Sequence, residues 1–140
     1  MRYTAKLIAG TGAMLVIAGS LLFTPAAFAA GEMPSKKVCG STTDTVVKGG
    51  CVMTDRKKGN CMACHRFAGL EKTRLQAGNI GPALIAIKQS WANRGGKSGL
   101  RKQIWDATAV NPNSSMPPFG RHKILSDNEI DQIVEFLWTL

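Results

Sequence analysis

The pentapeptide Cys61, Met62, Ala63, Cys64, His65 constrains this chain more than any other feature. Two thiols three positions apart, followed at once by an imidazole, form the attachment pattern of a c-type haem. On one short turn, both sulfurs reach two vinyl groups on a single porphyrin edge and form thioethers. The next residue then sets its ring beneath the iron. Two other uses of the pattern fit less well. A thioredoxin-like dithiol calls for a βαβ alternation that the flanks lack. A zinc site needs a fourth ligand, and no second compact Cys or His pair stands at ligand spacing. One covalently bound haem c is the expected cofactor, held by Cys61, Cys64 and His65.

A six-coordinate iron needs a second axial donor, and the choice is small. His122 is the one other histidine, and Met33, Met53, Met62 and Met116 are the methionines beyond the leader. Met62 lies inside the attachment turn and Met33 near the start of the mature chain. Met116 sits in Asn111, Pro112, Asn113, Ser114, Ser115, Met116, Pro117, Pro118, Phe119, Gly120, where the prolines exclude a helix. A methionine is most often core filler. Here no apolar periodicity surrounds it, so Met116 is favoured over His122 as the second ligand. A His and Met pair raises the reduction potential, as suits an acceptor of electrons from an exported oxidation.

Residues 1–29 read as an export signal. Arg2 and Lys6 precede the uncharged run from Leu7 to Phe23, and Ala27 and Ala29 place small residues at the peptidase positions. Cleavage before Ala30 leaves residues 30–43 as an N-terminal extension and 44–140 as the cytochrome c domain. A retained anchor is the competing reading. The run falls short of the about 20 residues that a span needs, and it carries Gly10, Gly12 and Gly19. The mature product is thus expected in the periplasm, with no membrane attachment after signal removal. At 140 residues the chain has room for one domain. A formal net charge of +9 favours an acidic docking partner. Nucleic acid is not expected, because no stacking platform or binding motif accompanies the basic clusters Lys36–Lys37, Arg56–Lys58 and Arg101–Lys102.

Helical patterns dominate the remainder. Ser126 and Glu129 form a capping box, Leu125 and Ile130 a hydrophobic staple, and Ile130, Ile133, Val134 and Leu137 recur at helical spacing. Shorter helices are expected over 84–91, after Pro82, and over 100–107, with Leu100, Ile104 and Trp105 as one buried stripe and Arg101 and Lys102 outside. The glycine-rich stretch 93–99 reads as a loop between them. A weaker helix over 44–58 is interrupted by Gly49 and Gly50. No useful strand pattern appears, so the fold is expected to be all-α. Cys39 and Cys51 most economically pair in an oxidising compartment, a reactive thiol or an interchain bond being the alternatives.

The segments Gly59 to His65, Gly78 to Pro82, Leu100 to Thr108, Asn111 to Gly120 and the terminal helix together resemble SoxX. That family comprises the monohaem subunits of the SoxAX cytochrome complexes of bacterial thiosulfate oxidation. The resemblance covers residues 44–140, and the pair Cys39 and Cys51 has no counterpart in it. It implies a class I cytochrome c-like fold, with helices packed around one covalently bound haem c and with His65 and Met116 as axial ligands. It also implies that the Pro82 carbonyl orients the His65 ring, and that the chain forms a periplasmic heterodimer with SoxA. The implied role is to accept electrons from SoxA while thiosulfate is joined oxidatively to a cysteine of the carrier SoxYZ, and to pass them to a soluble cytochrome c. The enzyme would be the complex, an L-cysteine S-thiosulfotransferase; this chain supplies no catalytic acid, base or nucleophile. A free-standing periplasmic electron shuttle shares every haem residue, and a ligand-sensing haem protein would differ by a vacant sixth position.

Overall fold

A computed structural model of the chain describes residues 32–69 and 76–140. The expected signal segment and its cleavage site lie outside the described residues. Among the described residues five α-helices follow one another: α1 (Lys36–Cys39), α2 (Thr45–Thr54), α3 (Ile87–Trp91), α4 (Gly96–Trp105) and α5 (Asp127–Leu137). Single 3-10 turns occur at Cys61–Ala63 and Ala107–Ala109. The extended structure among the described residues is one isolated parallel bridge between Phe67 and Leu84.

The order of the fold comes from α5. Ser126 accepts from the Glu129 backbone N–H while the Glu129 carboxylate accepts from the Ser126 backbone N–H, which satisfies two orphan donors at the helix start. Its apolar stripe, Ile130, Ile133, Val134 and Leu137, is buried, as is Leu125 of the staple. Each such side chain contributes about 1.5 to 3 kcal/mol on leaving water. Helix α2 lies across this face, α4 packs beside it, and α3 leans on α4. Met53 of α2, fully buried, joins this core.

Gly49 and Gly50 do not interrupt α2; they allow its crossing with α5. A Cβ at Gly49 would run into the Gln132 carbonyl and approach Phe136 Cβ to 2.9 Å. One at Gly50 would stand 2.8 Å from both Phe136 Cε2 and Pro34 Cδ. Helix-weakening residues in sequence are therefore close-approach residues in the fold, because packing outweighs propensity here.

Two other helices start away from their expected positions. Helix α4 begins at Gly96, inside the stretch read as a loop, since Gly95 and Gly96 turn the chain with positive φ and Gly99 packs on the Arg94 carbonyl. Helix α3 begins at Ile87, because residues near Leu84 pair with the backbone after the attachment turn instead. Trp105, read as part of a buried stripe, is 38% exposed. It is the last residue of α4, one position past the Leu100–Ile104 stripe, and its indole covers Gly120. Arg101, read as facing solvent, donates to Asp127 at 2.8 Å and Asp131 at 2.6 Å on α5. Cys39 and Cys51 are joined by a disulfide, Cα to Cα 5.6 Å, which ties α1 to α2.

Two outcomes are expected. Gly49→Ala should gain up to about 1 kcal/mol on helix propensity alone. The crossing makes it a net loss of about 1 to 3 kcal/mol, read from the chemical denaturation midpoint. Glu129 has its carboxyl held below the usual range by hydrogen bonding to the Lys58 ammonium, and next by the Ser126 backbone N–H. A depressed carboxylate contributes stability that is present above its unfolded value and is lost as pH falls through its folded value. Glu129→Gln should therefore cost about 1 kcal/mol near pH 7 and much less near pH 3, the exposed Lys58 adding little.

Candidate haem site

Asn60 enters the attachment turn with φ of 43°, a left-handed conformation that asparagine tolerates. The turn then tightens: Ala63 N–H donates to Asn60 at 2.9 Å, and His65 N–H to Cys61 at 2.9 Å. Cys61 opens this 3-10 turn and Cys64 caps it, and neither is in a disulfide. Burial pushes the Cys61 thiol up to about 12. This position disfavours a thiolate and accepts a neutral sulfur, the form a thioether also has.

The segment 78–82 closes on that turn. Gly78 N–H donates to the Met62 carbonyl at 2.9 Å, and Gly81 N–H to the Cys64 carbonyl at 2.8 Å. Both glycines are required by proximity. A Cβ at Gly78 would strike the Ala63 carbonyl, and one at Gly81 would stand 2.6 Å from His65 Nδ1. His65 Nδ1 lies 2.8 Å from the Pro82 carbonyl. A carbonyl only accepts, so the ring proton belongs on Nδ1 and the Nε2 lone pair is left for a metal. The Leu84 N–H donates to the Arg66 carbonyl at 2.7 Å, which extends the same closure past the histidine.

Met116 is half-buried and packs against the core, although Asn111, Pro112, Asn113, Ser115 and Pro117 around it are exposed. Its N–H donates to Ser114 Oγ at 3.2 Å. His122 is exposed, and Met53 is core filler. Lys58, from the basic cluster before the motif, is ion-paired with Glu129 of α5. The sequence did not single out Asp106, the one buried charged residue among those described. Its carboxyl is held below the usual range, foremost by the Thr108 hydroxyl and then by Arg121. An aspartate two residues before a threonine at the end of a helix was the available signal.

The donor set fits a covalently bound haem. Two free sulfurs stand on one turn, the adjoining imidazole has its Nδ1 engaged, and glycine 81 leaves that ring its space. Residues 48–140 match the cytochrome c family model. The chain belongs to the cytochrome c family, with the all-α class I fold and haem c as its cofactor. Within that class it is similar to SoxXA from P. pantotrophus. That crystal structure superposes with a TM-score of 0.54 at 25% identity, over 64% of this chain and 77% of the other. An uncharacterized lipoprotein of Aquifex aeolicus (strain VF5) is 37% identical over 82 residues, 58% of this chain. The match spans 36% of that lipoprotein's length.

Gly81→Ala should displace the His65 ring from Pro82. Haem content per polypeptide after export should fall several-fold, measured by absorbance against total protein, while Gly40→Ala, whose Cβ would meet the Lys36 and Lys37 carbonyls at no less than 3.6 Å, should leave it unchanged.

Proposed function

We propose that this chain is the electron-transfer subunit of a SoxAX-type complex, exported to the periplasm behind the segment 1–29. The observation that carries the reading is the likeness to SoxXA over 64% of the chain, joined to a single attachment turn. Cys61 and Cys64 would hold the haem by two thioethers, with His65 Nε2 and Met116 Sδ as its axial donors. When bound, haem c supplies a one-electron couple between ferric and ferrous iron. The Pro82 carbonyl keeps the His65 ring in one tautomer and one orientation, so its donor strength is constant through turnover. The proline-restricted loop does the same for Met116. If His65 and Met116 both held the iron, no position on it would be left for substrate, and the chain would carry electrons only.

In the proposed reaction a SoxYZ cysteine thiol and thiosulfate join through a new sulfur–sulfur bond. The joining releases a pair of electrons and one proton. SoxA would be the site of that chemistry, and this chain would take the electrons singly and pass them to a soluble cytochrome c. Among the described residues no helix is long and apolar enough to cross a bilayer.

Purification of the untagged protein from its periplasm tests the partner. A stable complex with a second haem-bearing cytochrome is expected, with this chain beginning at Ala30. Elution as a monomer would favour a free-standing shuttle. Met116→Ala should let the reduced protein bind carbon monoxide rapidly at neutral pH, which the unaltered protein should do only slowly.

A further inference from the structure

The loop that bears Met116 is closed at its neck by side chains outside the haem motif. Both strands of the neck converge on Trp105 to Thr108. On the leaving side, Asn111 N–H donates to the Ala107 carbonyl at 3.0 Å. On the returning side, Gly120 N–H and Arg121 N–H both donate to the Trp105 carbonyl, at 3.0 and 3.2 Å. A triangle of side chains locks the two together. Asp106 Oδ2 meets Arg121 Nε at 3.0 Å, Asp106 Oδ1 accepts from the Thr108 hydroxyl at 2.6 Å, and Arg121 Nη2 donates to Thr108 Oγ1 at 3.1 Å. The Trp105 indole lies over Gly120 so closely that no Cβ fits there.

We infer that Asp106, Arg121 and Thr108 form a positioning clamp that holds Met116 at the haem iron and so sets how tightly the sixth position is closed. The inference rests on the reading of Met116 as the axial donor. Asp106 is the one buried charge among the described residues, at 7% exposure. Burying a carboxylate is costly, and an apolar residue of similar size would serve packing at least as well. What the charge adds is direction: a fork of fixed geometry that draws Arg121, the first residue after the loop, onto Asp106. Between the clamped ends, residues 111–117 are mostly exposed, and the bonds among them, from the N–H groups of Asn113 and Ser114 to Asn111, are local. The Ser114 contact to Met116 N–H is local and travels with the loop. Without the clamp, the neck is left to the backbone bonds from the N–H groups of Asn111, Gly120 and Arg121, and the thioether can leave the iron while the helices stay folded. Phe119, buried in the core and accepting at its carbonyl from the Ile124 and Leu125 N–H groups, keeps the end of the loop anchored beside α5 when that happens.

The test uses the holoprotein and variants Arg121→Ala, Arg121→Lys and Asp106→Asn. Two readouts are followed together in denaturant: the thioether-to-iron absorption band at the red end of the oxidised spectrum, and helix content by far-ultraviolet circular dichroism. In the unaltered protein the two should be lost together. In Arg121→Ala and Asp106→Asn the band should disappear at clearly lower denaturant than the helices. The reduced variants should bind carbon monoxide about tenfold faster or more, the weight of one charge-assisted hydrogen bond. Arg121→Lys should recover part of both effects. If either variant keeps the full band until the helices melt, and binds carbon monoxide no faster than the unaltered protein, the clamp is wrong and Met116 ligation stands. If the unaltered protein lacks the band and Met116→Ala changes nothing, both readings fail. Should Arg121→Ala not fold, Asp106→Asn, which keeps shape and the Thr108 contact, decides alone.

Discussion

A carbonyl oxygen cannot donate, so a histidine ring held against the Pro82 carbonyl keeps its proton on Nδ1 and its Nε2 bare. Most of the site is organised around that contact. It requires the attachment turn and the segment 78–82 to lie within van der Waals distance, which Gly78 and Gly81 permit. The backbone bonds from Gly78 to Met62 and from Gly81 to Cys64 fix the register. Register matters because the thiols of Cys61 and Cys64 and the ring of His65 share one turn. A slip of that turn would move all three donors together. The helices act as the frame. The crossing of α2 on α5 holds the chain that enters the turn, and Lys58, three residues before Cys61, is tied to Glu129 of α5.

The attachment turn, the capping box of α5 and its apolar stripe were legible because each is local: the chemistry lies in residues a few positions apart. Gly49 and Gly50 were misread for the opposite reason. Their meaning depends on Gln132 and Phe136, more than eighty positions away, and within α2 alone a glycine can only look like a weakness. The same holds for Trp105, whose exposure follows from covering Gly120, and for Arg101, whose aspartates sit on another helix. The early start of α4 escaped notice because glycines at 95, 96 and 99 read as loop signals. In the fold, the first two turn the chain and the third admits the Arg94 carbonyl. The Asp106 triangle was invisible for a further reason: its members are separately ordinary, and what marks it is the burial of one carboxylate.

The charge excess has a similar division. Several of the basic residues are spent on the fold: Lys58, Lys97, Arg101 and Arg121 each meet a carboxylate. Their exposed members contribute little stability individually. Arg56 and Lys57, shortly before the attachment turn, are exposed. The two halves of the site thus differ in how they are held. The His65 side is closed by backbone bonds and glycine packing; the loop that bears Met116 has both of these at its neck and adds one buried charge with its partners.

Peptide mapping of the exported holoprotein tests the central claim most directly. After alkylation and protease digestion under denaturing conditions, one porphyrin mass should remain on the fragment containing Cys61 to His65, with neither cysteine alkylated. Recovery of that fragment with both cysteines alkylated, and of the porphyrin free in acidified solvent, would contradict the account.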